Sequence, residues 1–275
     1  MILTYKDIDY EKIWQDSLKC RKGYAKERAF NDNVEREFWK GLSRIYDNQP
    51  TLYDYSKEVY NFVKSLIDTN KSLIEIGPGT GKFTIPLSEK CSDITAIDFS
   101  RHMLNVLMEK SKILGINNIL PIEGKWEDVA INETDYILSV NSLYRIFDIK
   151  AALKKMNIVA KEKVIIVRTI QKPIFNNLYL KLGLEDKTCL DYIYLPNILH
   201  SLNICADIKY MNVQYEIEFN NRESIYYKIK EEIGYIPNEN IIEDYINENF
   251  KRSNKKYIFL HKTKVEIIYW ETTKN

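Results

Sequence analysis

The segment Leu73–Gly81, LIEIGPGTG, is a short apolar run with an acid near its end, broken by glycines at every second position: Gly77, Gly79 and Gly81. A turn of this composition lets backbone approach a neighbour or a ligand closely, because no Cβ stands in the way. Seventeen residues past Gly81, a second apolar run, ITAID, closes on Asp98. Strand, glycine turn, helix and strand in this order are the opening of a βαβ unit.

The following chain repeats that alternation. Strands are expected at Ser72–Ile76, Asp93–Asp98, Asn118–Glu123, Asp135–Val140 and Lys163–Thr169. Helices are expected at Lys82–Cys91, Arg101–Leu114 (with Ser100 as cap) and Ile149–Ala160. Such alternation predicts an α/β fold with a mostly parallel sheet and helices on both faces. Before it, residues 1–50 read as helical. Phe30, Val34, Phe38, Leu42 and Ile45 form an apolar stripe, and Pro50 closes the segment. A further helix is expected at Tyr53–Ile67, with Tyr55, Val59, Phe62, Val63 and Leu66 inward. After it, residues 171–255 mix helices with one strand, Val213–Phe219. The end reads as a hairpin at the sheet edge: Tyr257–Leu260, a turn near Lys262, then Val265–Tyr269.

Composition excludes several classes. Lys plus Arg total 40 against 39 Asp plus Glu, so no global charge draws the chain to nucleic acid or an acidic membrane. Residues 171–255 hold ten basic and thirteen acidic side chains, a poor surface for nucleic acid. The four cysteines are scattered without a CxxC pair, which argues against a disulfide framework or a thiolate metal site; no metal is expected. No apolar run reaches the roughly 20 residues of a membrane helix. A cytoplasmic setting without membrane partners is expected.

The glycine spacing separates the nucleotide-binding alternatives. A dinucleotide fingerprint would need glycine at position 82, where the chain has Lys82. A P-loop would need Ser or Thr after Gly81-Lys82, where the chain has Phe83. Asp98 at a strand end can accept from ribose hydroxyls, as acids at this place do in dinucleotide folds. Glu75 beside the same turn suits a cationic, amine-bearing ligand and would repel a pyrophosphate.

These residues resemble the class I S-adenosylmethionine-dependent methyltransferases of the small-molecule type. The resemblance covers roughly residues 30–170, with the terminal strands in further agreement. It implies a Rossmann-like, seven-stranded, mostly parallel sheet with N-terminal lid helices and a mixed insertion before a C-terminal hairpin. The implied divisions are 1–50 (lid), 51–170 (cofactor-binding core), 171–255 (substrate-covering insertion) and 256–275 (hairpin). The implied cofactor is S-adenosyl-L-methionine. Glu75, Gly77, Gly79 and Gly81 match the family's first motif, and Asp98 matches its ribose acid, with Phe99 and Ser100 lining adenosine. Gly124, Lys125, Trp126 and Glu127 match the adenine-side segment. Many relatives carry an acid where this chain has Lys125, and lysine cannot accept from the adenine amine. Asn141 and Leu143 fall near the methionine end. Tyr46, in FWKGLSRIYD, falls in a helix that lids the cofactor in many relatives. Tyr144, Arg145 and Arg168 are the candidates facing the acceptor. Relatives that methylate amide or adenine nitrogens show Asn/Asp-Pro-Pro-Tyr where this chain has SVNSLY, so DNA adenine is disfavoured as acceptor.

Methyl transfer from a sulfonium needs alignment and exclusion of water rather than a metal. An oxygen acceptor would also need a base. His200 and His261 are candidates, and nothing in the sequence assigns the role. The implied function is methyl transfer to a small-molecule acceptor. The alternatives are a protein or RNA methyltransferase and a non-catalytic binding module. Oligomeric state is open.

Overall fold

The computed structural model describes residues 8–48, 57–185 and 188–272. Three helices open it: α1 (Tyr10–Lys19), α2 (Gly23–Phe30) and α3 (Asp32–Leu42). A single 3-10 turn, Tyr46–Asn48, follows. Next come α4 (Lys57–Ser65), β1 (Ser72–Ile76), α5 (Thr84–Leu87), β2 (Asp93–Asp98), α6 (Arg101–Ile113), β3 (Ile119–Glu123), β4 (Thr134–Val140), α7 (Ile149–Val159) and β5 (Ala160–Thr169). The chain continues through α8 (Asn176–Lys181), α9 (Asp191–Ser201), β6 (Asp207–Phe219), α10 (Arg222–Ile233), α11 (Glu239–Asn249), β7 (Phe250–Ser253) and β8 (Lys256–Glu271).

One sheet organises these elements, in the order β3-β2-β1-β4-β5-β8-β6, with short β7 pairing on β8. Strands β1 to β5 pair in parallel, and β8 runs antiparallel between β5 and β6. The fold is the mostly parallel α/β arrangement expected, with seven strands along the path and an eighth beside it.

Each face of the sheet carries its own core. On one face Ile74, Ile76, Ile137, Val164, Ile166, Ile268 and Trp270 pack under α1, α7 and α9. On the other, Leu73, Ile94, Leu138, Ile165, Val167 and Ile267 pack under α4 and α6. Burial on both faces is why the central strands read as nearly unbroken apolar runs. A third cluster lies where β6 and β8 extend past the end of β5. There Phe175, Phe219, Ile225, Ile229, Tyr245 and Phe259 join α8, α10 and α11 to that arm.

Three local expectations differ from the structure. The helix expected at 82–91 is a single turn, Thr84–Leu87, with Pro86 within it. The chain end is one continuous strand rather than a hairpin with a turn near Lys262. Lys262 and Lys264 are exposed while His261, Thr263 and Val265 are buried, which is the alternation of a strand. Its hairpin partner is β6, which starts at Asp207 and forms the sheet edge. Finally, the apolar stripe of the N-terminal segment does not bury as a unit. Asn31 caps a new helix after Phe30, leaving Phe30 50% and Ile45 47% exposed, while Glu35 of the same helix is 0% exposed. Pro50, Tyr53 and Tyr55, with the expected division between 50 and 51, lie outside the described residues.

Phe175 sits at the centre of the third cluster, with ring centroids of Phe219, Tyr245, Phe250 and Phe259 at 6.1, 6.2, 6.2 and 5.5 Å. Phe175→Ala is expected to destabilise the chain by about 3–5 kcal/mol, the usual cost of emptying such a site. Urea unfolding checks this as a lowered midpoint at unchanged slope.

Candidate active site

The carboxyl ends of β1, β2 and β4 meet at the glycine turn, where strand order reverses and ligands of open sheets collect. Gly77 has φ +67°, and its N–H donates to the Ile97 carbonyl at 2.8 Å. A Cβ at residue 77 would lie 2.3 Å from Ser142 Cβ. Ser142 is itself fixed, its hydroxyl donating to the Ile76 carbonyl at 2.6 Å. Gly81 has φ +90°, and a Cβ there would lie 2.3 Å from Leu107 Cδ1. Gly79, at φ +56°, has open space where a side chain would go. The turn is therefore packed at its two ends and open at its middle.

Asp98 holds that open middle. Its carboxylate accepts from the Gly79 N–H at 3.0 Å and from the Ser100 N–H at 2.8 Å. Desolvation pushes its carboxyl up to about 6, against the pull of those two donors. Glu75 is 1% exposed and accepts from the Thr84 hydroxyl at 2.6 Å. Desolvation, eased by the Thr84 bond and reinforced by repulsion from Asp98, pushes it up to about 7. Two desolvated carboxyls thus stand at one turn with no cation between them among the described residues.

The flanking residues divide into two groups. The Gly124 N–H donates to the Asp98 carbonyl at 2.9 Å, so the β3 loop is tied to the end of β2. Phe99 is flanked by cations: Arg36 at 4.4 Å, Arg145 at 5.1 Å and Lys125 at 5.9 Å from its ring centre. Ser100 is buried and caps α6. Asn141 takes a positive φ of 50° and latches β4 to β5: its Oδ1 accepts from the Thr169 N–H at 2.8 Å and its Nδ2 donates to the Thr169 hydroxyl at 3.1 Å. These residues gather around the turn. Trp126 and Leu143 do not. Both are buried in the core under α7, and Trp126 Nε1 donates to the Ala152 carbonyl at 3.2 Å. Glu127 points to solvent.

Helices α2 and α3 close over this end of the sheet through polar contacts, whereas α1 belongs to the core, with Trp14 and Leu18 buried in it. Arg28 donates to Glu35 through Nε and Nη2, at 2.6 and 3.2 Å. Trp39 Nε1 (2.8 Å) and the Tyr144 hydroxyl (2.6 Å) also donate to Glu35. Burial disfavours the charge on Glu35, but Arg28 and Tyr144 outweigh it and hold the carboxyl below its ordinary range. Burial, then the Glu35 charge, holds the Tyr144 phenol above its own. The Tyr144 hydroxyl, expected to face an acceptor, is engaged by Glu35 and Trp39 in this closed arrangement. Tyr46 packs edge-on against Trp39 at 5.8 Å. Asp47 accepts from the Thr80 hydroxyl at 2.6 Å and from Lys110 at 2.9 Å. Asp32 pairs with Lys125 at 2.5 Å and with Arg145 at 3.1 Å. A cleft of about 350 Å³ opens beside this seam, between α3 and the start of α6, lined by Arg36, Glu37, Ser100, Arg101, His102 and Glu123.

Arg168 lies at the end of β5 but is buried, paired with Asp191 and lying 5.5 Å from the Trp14 ring. Across the β5–β8 pairing it faces Glu266. Burial, offset by the Tyr210 hydroxyl and Arg168 and reinforced by Asp191, pushes the Glu266 carboxyl up to about 7. His102 and His200 are exposed, and His261 is buried beside Tyr215. Asp32, Glu35, Trp39, Asp191 and Glu266 escaped the sequence reading. A buried acid with tryptophan four residues on is a faint helical signal for the Glu35–Trp39 pair, and nothing local marks the others. Among the described residues, no group of His, Cys, Asp and Glu is placed to hold a metal ion, and no helix is long and apolar enough to cross a membrane.

Residues 73–163 match the family described as Methyltransferase domain. The β1–β5 core is thus similar to methyltransferase domains. The match begins in β1 and ends early in β5, and so contains the glycine turn, Asp98, Lys125 and Asn141. A demethylmenaquinone methyltransferase of Staphylococcus aureus is 34% identical over 110 residues, 37% of this chain and 45% of that protein. An uncharacterized protein of Haemophilus influenzae is 26% identical over 143 residues, 51% of this chain and 53% of that one. The chain thus spans about half the length of these relatives. The crystal structure of magnesium protoporphyrin IX methyltransferase from Synechocystis PCC 6803, with bound SAH, shares the fold at TM-score 0.51 and 10% identity, covering 86% of this chain and 99% of that one.

The packing at the turn makes a specific demand. Gly77→Ala is expected to cost about 3 kcal/mol, combining a left-handed backbone penalty of about 1–2 kcal/mol with overpacking against Ser142. Gly79→Ala carries the backbone penalty alone, about 1–2 kcal/mol. Thermal unfolding of the two variants side by side checks the difference.

Proposed function

We propose that the chain transfers a methyl group from S-adenosylmethionine to a small-molecule acceptor. The observation that carries this reading is the pair of desolvated acids at the glycine turn. Glu75 and Asp98 stand at about 7 and about 6, with no neighbouring cation among the described residues to hold them ionised. A ligand bearing both positive charge and ribose hydroxyls satisfies them, and an anionic pyrophosphate does not. The relatives' names support methyl transfer, and the SAH in the Synechocystis enzyme supports the donor.

On this reading the donor supplies an activated methyl group, and the protein's work is placement. The Gly77–Gly81 backbone lies against the methionine and ribose portion. Asp98 accepts from the ribose hydroxyls, and its bonds to Gly79 and Ser100 hold it rigidly for that task. Phe99 offers a ring face to the adenine. Asn141, fixed to Thr169, sets the wall at the methionine end. The polar closure by α2 and α3 excludes water, which favours the intended nucleophile over hydrolysis. Tyr144 and Arg145, on the β4 loop beneath α2 and α3, are held by Glu35 and Asp32 and shape the acceptor side of the closed site. Arg168, held by Asp191, supports that side from beneath. Lid helices this close to the loops suit an enclosed small acceptor better than a folded macromolecule.

Isothermal titration of the purified, nucleotide-free chain with S-adenosylmethionine tests the reading. Saturable micromolar binding is expected, weakened at least about 100-fold by Asp98→Ala with the fold retained, since two hydrogen bonds to a charged group are lost. Absence of binding by the folded wild-type chain overturns it.

The raised acids also fix a pH dependence. Glu75 and Asp98 must ionise to hold a cation, so donor affinity is expected to rise between about pH 5.5 and 8, with protons released on binding. The ligand-free fold shows the opposite sign. Acids whose folded values lie above the unfolded ones lose stability as pH rises through that interval. Calorimetry in buffers of different ionisation heat reads the released protons, and thermal melts with and without donor read the opposed trends.

A further inference from the structure

The adenine side of the site contains a charge exchange between the lid and the β3 loop. A ring bearing an exocyclic amine presents a donor, so its recognition calls for an acceptor. The β3 loop offers Lys125, which has none. Asp32 lies 2.5 Å from Lys125 Nζ. It is the first residue of α3, and its other oxygen accepts from Arg145 of the β4 loop at 3.1 Å. One carboxylate therefore bridges the two loops, next to the Phe99 ring that Lys125 and Arg145 flank. The Asp32 side chain is 37% exposed. With two partners, it keeps half of its roughly four lone-pair positions for a further donor. The other acids nearby are differently placed: Glu37 pairs with Lys40, Glu123 with Arg101, and Glu127 points to solvent.

We infer that Asp32, carried in by the lid and held by Lys125 and Arg145, is the acceptor for the exocyclic amine of the donor's adenine. This rests on the donor reading above and adds a specificity residue from outside the matched domain. Lys125 then acts as a positioning residue: it orients the carboxylate and meets no ligand acceptor itself. Burial disfavours charge on Asp32, and the two cations more than restore it, so the acceptor stays ionised at neutral pH. The arrangement has a consequence for order. Until α3 docks, the adenine edge meets Lys125 and Arg145 but no carboxylate, so discrimination between purines exists only in the closed state.

The test compares two ligands by calorimetry: S-adenosylhomocysteine and its analogue with unsubstituted purine in place of adenine, which lacks the amine. The wild-type chain is expected to prefer the adenine compound by about 10- to 100-fold, the value of one hydrogen bond to a charged group. Asp32→Ala should bring the two affinities within about threefold, and Glu37→Gln on the same helix should keep the preference. Asp32→Asn keeps the side-chain volume and one acceptor oxygen, and should retain a reduced preference; it serves if the alanine variant fails to fold. Equal binding of both ligands by the wild-type chain, or a preference that survives Asp32→Ala, overturns the inference. Binding of neither ligand by the folded wild-type chain overturns the donor reading instead.

Discussion

Ser142 occupies the space that any side chain at position 77 would need, and the site is built on that contact. Gly77 leaves β1 in a left-handed conformation, bonds back to β2, and lets the β4 loop lie directly against it. Ser142 closes the junction by bonding to the Ile76 carbonyl and approaching Ser139 at 2.8 Å. One residue earlier, Asn141 turns back on itself and clasps Thr169 of β5. Four strand ends are thereby fixed to one another before any helix covers them. With these ends fixed, the open middle of the turn, Gly79 against Asp98, has a defined shape. A rigid floor of this kind is what alignment of two reactants requires.

The parts of this arrangement that the sequence disclosed are those whose reasons are local. β1 and β2 fall where their apolar runs predict, because strands buried on both faces are filled mostly by apolar side chains. Asp98 and the glycines were legible because backbone geometry at a turn restricts residue type directly. The missed features have distant causes. Lys262 and Lys264 look like a turn in one dimension and are the exposed positions of a strand once β6 lies beside it. Trp126 and Leu143 sit at motif positions beside the ligand segment, yet the volume under α7 draws both into the core. The α3 stripe has helical period, but Asn31 starts the helix afresh, and the buried position falls to Glu35 because Arg28 and Tyr144 supply it with donors. No pattern within α3 could announce partners that arrive from α2 and the β4 loop.

A lid held by ion pairs differs physically from one held by apolar burial. Its contacts form between groups that water also satisfies, so each contributes a net of about 1 kcal/mol or less where exposed. The Asp32, Asp47 and Arg44–Glu109 contacts are of this partly solvated kind. The Glu35 cluster is the exception. Its carboxylate is fully buried, and removal of any donor would leave a charge without compensation. The lid therefore has one specific anchor and several weak rim contacts. Such a closure sets position accurately while keeping the cost of opening modest. Phe30 at the end of α2 and Ile45 just after α3, both left half-exposed, do not add the apolar area that would make opening costly.

The two acids at the turn complete this logic. A fold free to maximise its own stability would place an apolar or paired residue at position 75, since a desolvated carboxyl contributes nothing to packing. Glu75 instead sits near a second, half-buried acid, Asp98, whose charge adds to the difficulty of ionising it. The ligand-free state is thereby strained above neutral pH, and a cationic ligand relieves the strain by the amount its charge interacts with the two carboxylates. Binding energy and fold stability become linked quantities at this turn.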